Sequence, residues 1–139
     1  MCKNLWPTIE ANQEETPKNI LKQQADYLSQ NTKGRIVGEI EITNGATYEM
    51  PTNLRTPQRR GELELCVRLV VTVPSMGYVR YLLVSMLQNP VQTYPCLLKD
   101  ELNETEYTIT DLETFIGRLK EILQSEKMKT LLSTIMPNE

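Results

Sequence analysis

The chain has 139 residues, a formal net charge of −3 and no histidine. Its length suits one domain with a substantial core, and its scattered basic residues argue against a nucleic-acid binder. Without histidine, Ser-His-Asp and Cys-His catalysis and histidine metal ligands are excluded. We therefore expect a non-enzymatic protein with no metal and no cofactor.

Three cysteines, Cys2, Cys66 and Cys96, are widely spaced and form no C-x-x-C motif. Free thiols in a reducing cytoplasm are the simplest interpretation. No apolar run approaches the roughly 20 residues that cross a bilayer, and the N-terminus lacks the apolar core of a secretory signal. The sequence predicts a cytoplasmic protein that has no membrane partner.

Residues 1–15 predict a polar arm with Trp6 as its natural anchor, and residues 16–139 are expected to form a single α+β domain. Thr16 and Pro17 predict a helix start, because threonine accepts hydrogen bonds from free N–H groups and proline fits the first helical position. A one-sided apolar stripe follows, and residues 31–34 have the composition of a helix end.

The strand predictions depend on alternation of apolar residues. Residues 62–73 place an apolar side chain at every second position, which is typical of a strand in a mostly antiparallel sheet. Residues 35–43 form an earlier strand, and the Asn44-Gly45 turn predicts a hairpin that sets Ile40 opposite Met50.

The next strand, residues 78–87, is apolar on both faces. A five-residue loop before it pairs Val71 with Tyr81, Leu69 with Leu83 and Leu65 with Leu87. Its second face would then carry Leu82, Val84 and Met86. Residues 94–99 predict a short final strand, which Pro95 places near an edge because proline cannot donate to a ladder. Residues 107–109 predict a brief extended segment.

Two C-terminal helices are predicted after this sheet. Thr110 and Glu113 have the spacing of a capping box, and Ser125 can cap a second helix where the apolar stripe fails. We expect an α+β fold with a mostly antiparallel sheet of about five strands, one N-terminal helix and two C-terminal helices packed on the sheet. The C-terminal helices would cover the face of Val67 and Leu69, and the N-terminal helix the other face.

Arg55, Arg59 and Arg60 lie in a proline-containing loop and could hold an anion or an acidic partner surface. A solubilising loop is the commoner explanation of such a cluster, because no glycine-rich context accompanies it.

Two further features have a structural explanation that is commoner than a functional one. The acidic residues Asp100, Glu101, Glu104 and Glu106 do not have the spacing of a calcium loop. Cys66 shares a strand face with Arg68, whose positive charge could activate the thiol. A buried, unreactive thiol is the commoner explanation of such a cysteine.

The candidate partner-binding residues are Trp6, Tyr78, Leu82, Val84 and Met86. They predict a large apolar surface, which monomeric proteins seldom expose, so we expect a homodimer or a larger protein partner. The function predicted is a non-catalytic protein-interaction module of a small bacterial accessory, regulatory or immunity type. The alternatives are a domain that binds a small anionic molecule and a histidine-free enzyme.

Overall fold

In the computed structural model, which describes residues 3–8, 15–44 and 64–137, a five-stranded antiparallel sheet carries three helices. The elements are α1 Pro17–Asn31, β1 Val37–Asn44, β2 Leu65–Val73, β3 Val79–Gln88, β4 Cys96–Asp100, β5 Thr105–Ile109, α2 Leu112–Leu123 and α3 Glu126–Ile135. The strands lie in the order β1-β2-β3-β4-β5, with every neighbouring pair antiparallel. The predicted α+β fold is confirmed.

The strands that make up this sheet differ in part from the predicted set. The segment expected to be only briefly extended is the full strand β5, which pairs with β4. The predicted hairpin partner of β1 lies outside the described residues. Within them β1 pairs with β2, with Ile40 opposite Leu69 and Ile42 opposite Val67.

Side-chain caps begin all three described helices. Thr16 Oγ1 accepts from the Asn19 N–H at 3.3 Å, and Ser125 Oγ caps α3 in the same way, as predicted. Helix α2 is capped by Asp111, one residue after the predicted Thr110. The capping box was misplaced because a carboxylate one position later accepts the free N–H groups more strongly than a hydroxyl does.

A β-bulge in β3 changes the register with β2. The predicted five-residue loop and the pairing of Val71 with Tyr81 are correct. Leu83 is then an extra residue, because Val70 lies opposite Leu82 while Leu69 lies opposite Val84. The predicted pairs of Leu69 with Leu83 and of Leu65 with Leu87 are therefore wrong.

The bulge also decides which side chains of β3 are buried. An extra residue reverses the alternation, so Val84 and Met86 point to the same side as Tyr81. Both are fully buried in the cluster that contains Val67 and Leu69. The prediction that Val84 and Met86 lie exposed on the second face is wrong.

All three described helices pack on the side of the sheet that carries Leu69 and Val71, here called the helix face. Helix α1 contributes Leu21 and Ala25 to the buried cluster that also contains Phe115 of α2. The prediction that the N-terminal helix covers the opposite face is wrong. The physical reason is Gly38, which lies on the helix face and allows α1 to approach.

The opposite side of the sheet, here called the back face, combines a small apolar cluster with charged side chains. Cys66 and Leu87 are buried there against Leu97. Glu101 accepts a hydrogen bond from the Ser85 hydroxyl at 2.5 Å and forms an ion pair with Lys99 at 3.5 Å. No helix in the described ranges is long and apolar enough to span a bilayer.

We expect Gly38→Ala to lower the free energy of unfolding by about 1–3 kcal/mol, because overpacking displaces neighbouring backbone. A Cβ at this position would lie 2.6 Å from the carbonyl oxygen of Ala25. Gly117→Ala is the matched control, since its Cβ would meet nothing within 4 Å on α2. The control should gain roughly 0.5–1 kcal/mol. Chemical denaturation of both variants measures this, and equal effects would contradict the close packing.

We expect the cap of α2 to make stability depend on pH. The backbone N–H and the side chain of Thr114 donate to Asp111 and lower the pKa of that carboxyl below its ordinary 3.8. Since the folded pKa is below the unfolded one, this stabilisation is complete above pH about 4 and is lost as the pH falls through the folded value. At neutral pH the wild type should have a higher melting temperature than Asp111→Asn. The difference between the two melting temperatures should disappear in acid. Thermal melts across pH test this, and a constant gap would count against it.

Candidate functional site

Strand β1 lies at an edge of the described sheet, and a groove of about 520 Å³ runs between it and α1. The lining residues come from both elements: Lys18, Lys22, Ala25, Asp26, Gly38, Glu39, Ile40 and Ile42. The helix forms one wall, and the strand forms the other. We call this region the β1 groove.

Hydroxyl groups near the end of α1 fix the helix to the start of β1. Ser29 Oγ accepts from the Gly38 N–H at 2.9 Å and donates to the Ala25 carbonyl at 3.2 Å. The Thr32 hydroxyl donates to the Ile36 carbonyl at 2.8 Å and accepts from the Ile36 N–H at 3.2 Å. One end of the β1 groove is therefore held rigidly.

The Ser29 hydrogen bond also shows which backbone groups of β1 face the edge. In an antiparallel strand the N–H and C=O of one residue point to the same side, and successive residues alternate. Because the Gly38 N–H points to Ser29 and not to β2, the backbone groups of Ile40 and Ile42 also point away from β2. β1 has one strand neighbour among the described residues, so these groups face the edge.

Side chains around this edge give it a mixed character. Ile40 is half-buried and Ile42 is 46% exposed, so the strand side of the β1 groove is apolar. Glu39 is exposed and borders the groove at the edge, while alternation with Ile40 directs its side chain to the back face. The next carboxylate on that face, Glu41, forms an ion pair with Arg80. The edge thus offers backbone hydrogen bonds, apolar contacts and a carboxylate.

The predicted partner-binding residues are not brought together. Trp6 is 77% exposed and therefore packs little against the rest of the protein. Tyr78 is 67% exposed at the β2–β3 turn. Leu82 is half-buried on the back face, while Val84 and Met86 belong to the core.

Tyr78 has an unusual backbone conformation. Its φ is 60°, in the left-handed region that disfavours bulky side chains, and it follows Gly77, whose φ is 71°. Its N–H donates to the Val73 carbonyl at 3.1 Å, which closes the turn. The turn therefore holds an exposed aromatic side chain at a cost in backbone energy.

The described thiols and acidic side chains have structural surroundings. Burial raises the pKa of the Cys96 thiol to about 11, so it stays protonated at neutral pH. Cys66 is fully buried. Asp100 is buried and accepts from the N–H groups of Leu102 and Asn103, which closes the β4–β5 turn. In the described ranges no three metal-ligating side chains cluster.

A second cavity, about 160 Å³ in volume, lies between the helices and the sheet. Its lining residues are all uncharged: Gln24, Tyr27, Leu28, Asn31, Leu69, Leu83, Leu123, Met128 and Leu132. None of these side chains carries a positive charge that could bind an anion. Arg55, Arg59 and Arg60, the predicted anion-binding residues, lie outside the described residues.

Comparison with protein-family models, curated proteins and solved structures finds no match to this chain. The candidate site therefore depends on geometry alone. Sequence reasoning missed the β1 groove, although Gly38 was a usable signal, because glycine inside a strand often marks a close approach of another backbone.

We expect Tyr78→Asn to raise the free energy of unfolding by up to about 1 kcal/mol, because asparagine tolerates a left-handed φ better than tyrosine. Val79→Asn is the control. It places the same side chain on β3 one residue later, where loss of a β-branched residue should cost up to about 1 kcal/mol. Denaturant midpoints of the two variants decide this, and a loss at position 78 as large as that at 79 would oppose it.

Proposed function

We propose that this chain is a non-catalytic protein-interaction module, of a small bacterial accessory, regulatory or immunity type. It acts through a larger protein partner or a homodimer. The observation that carries the proposal is the edge of β1, where the backbone groups of Ile40 and Ile42 face outward beside a groove. Such an edge is suited to adding an extended strand from another chain.

The β1 groove supplies what strand addition needs. Outward N–H and C=O groups give affinity, and a groove beside the strand receives alternate side chains and gives specificity. Ile40 and Ile42 offer apolar contact, while Lys18 and Asp26 on the α1 wall offer polar contacts.

Two exposed aromatic residues support a role in binding. Trp6 and Tyr78 remain from the predicted partner-binding set, and both are mostly exposed. Tryptophan and tyrosine are enriched among the residues that dominate interface energetics. The strained turn at Tyr78 fits a side chain kept for contact, since strain tends to persist at functional positions.

The surroundings of the described thiols support the non-catalytic part of the proposal. A nucleophilic cysteine needs a lowered pKa and access to solvent, whereas burial raises the pKa of Cys96. The free thiols of Cys66 and Cys96 also fit a reducing compartment, and the cytoplasm is the location we propose.

A small-molecule-binding domain is the second candidate, favoured by the cavity of about 160 Å³. Its uncharged lining suits a small apolar molecule better than the anion predicted from the arginine cluster. The volume is below the roughly 300 Å³ at which most ligand pockets begin. Strand addition at β1 therefore remains the first proposal.

Substitution at Ile42 tests strand addition. We expect Ile42→Pro to abolish complex formation, because proline removes an outward N–H and leaves the ladder to β2 intact. Ile42→Ala is the matched control: it loses the side chain, keeps the N–H, and should weaken binding by only a few fold.

Light scattering after size-exclusion chromatography measures the molar mass of the chain alone and of the chain together with any partner that co-purifies. The wild type should show a complex heavier than the 16.0 kDa monomer. A monomer mass at every concentration without a co-purifying partner would overturn the proposal. Equal binding by the two Ile42 variants would move the interface away from β1.

A further inference from the structure

We infer that the strand added to β1 belongs to a different protein and alternates basic with apolar residues, with a Lys or Arg opposite Glu39. The inference rests on the proposed strand addition and names the chemistry of its occupant. It follows from the charges on the two sides of β1.

On the back side, β1 presents carboxylates. Glu39 and Glu41 occupy alternate positions there, and Glu41 is paired with Arg80. Glu39 is exposed and forms no ion pair within the described residues. A basic side chain on the incoming strand would lie directly across from Glu39, where opposite charges stabilise a cross-strand pair.

On the groove side, the same strand meets a different environment. Ile40 and Ile42 form an apolar surface, and Lys18 and Lys22 stand on the facing wall of α1. The methylene stems of lysine cover apolar side chains while the ammonium groups remain in water. Asp26 lies on the same wall, so its charges are of both signs. Apolar residues therefore suit this side of the incoming strand, because Ile40 and Ile42 are the strand side chains that line it.

The same charges disfavour a second copy of this chain as the occupant. If two copies paired through β1, two antiparallel registers would align nearly the whole strand with β1 of the other copy. A register centred on Ile40 sets Glu39 opposite Glu41, and a register centred on Glu41 sets Glu39 opposite Thr43, so neither places a basic residue across from Glu39. Like charges placed directly opposite destabilise a strand pair.

The experiment uses the full chain, labelled with ¹⁵N, and three capped peptides of eight residues, the length of β1. One peptide alternates lysine with valine, the second alternates glutamate with valine, and the third has the composition of the first with its lysines grouped together. We expect only the first to shift the amide signals of Val37–Ile42 and of α1 from Lys18 to Asp26. Its affinity should fall as salt screens the attraction.

Charge reversal provides the matched variants. Glu39→Lys should weaken binding of the lysine–valine peptide on the order of tenfold, which is about 1.4 kcal/mol, and should improve binding of the glutamate–valine peptide. Glu121→Lys makes the same charge change on exposed α2, where only a surface pair with Arg118 is lost. It should bind like the wild type. Thermal melts confirm that both variants fold.

The outcomes separate this inference from the proposed function. Shifts in β1 with the glutamate–valine peptide alone would overturn the basic occupant and keep strand addition. Shifts in β1 that grow with the chain's own concentration, without peptide, would make a second copy the occupant. No shift in β1 under any of these conditions would overturn both.

Discussion

The close contact between α1 and β1 at Gly38 sets the arrangement of the other elements. Ala25 lies so near that no Cβ fits on Gly38, and Ser29 holds the Gly38 N–H. This contact brings α1 onto the helix face beside α2 and α3, so one core serves all three. Ser29 also occupies the Gly38 N–H at one end of the β1 edge, whereas the backbone groups of Ile40 and Ile42 face that edge.

The bulge at Leu83 is the second constraint on the fold, and it lies where sequence alternation gives the wrong answer. Alternation of β3 from Tyr81 onward would place Val84 and Met86 on the back face. With Leu83 as an extra residue, the strand instead turns both toward the helices. The sequence of a strand that is apolar on both faces does not reveal a bulge. With or without the extra residue, hydrophobic side chains point toward the core.

Local signals predicted much of this fold, since the physics behind them is local. The cap of α1 at Thr16 and the break before α3 at Ser125 are correct. At α2 two adjacent polar residues could each cap, and spacing alone chose Thr110 over Asp111. The face on which α1 packs, and hence the β1 groove, could not be predicted, because both depend on the long-range contact at Gly38.

An exposed edge strand invites unwanted pairing, and proteins commonly protect such edges with charge. Glu39 is such a charge on β1, and in the register centred on Ile40 it would face Glu41 of a second copy. The proposed basic strand would be attracted by the same carboxylate. Under the proposed strand addition, protection against self-pairing and selection of a basic partner would follow from one pattern, in which Glu alternates with Gly38, Ile40 and Ile42 along a single strand. Specificity of this kind is a difference between two binding free energies, and at this edge both depend on the sign of the charge opposite Glu39.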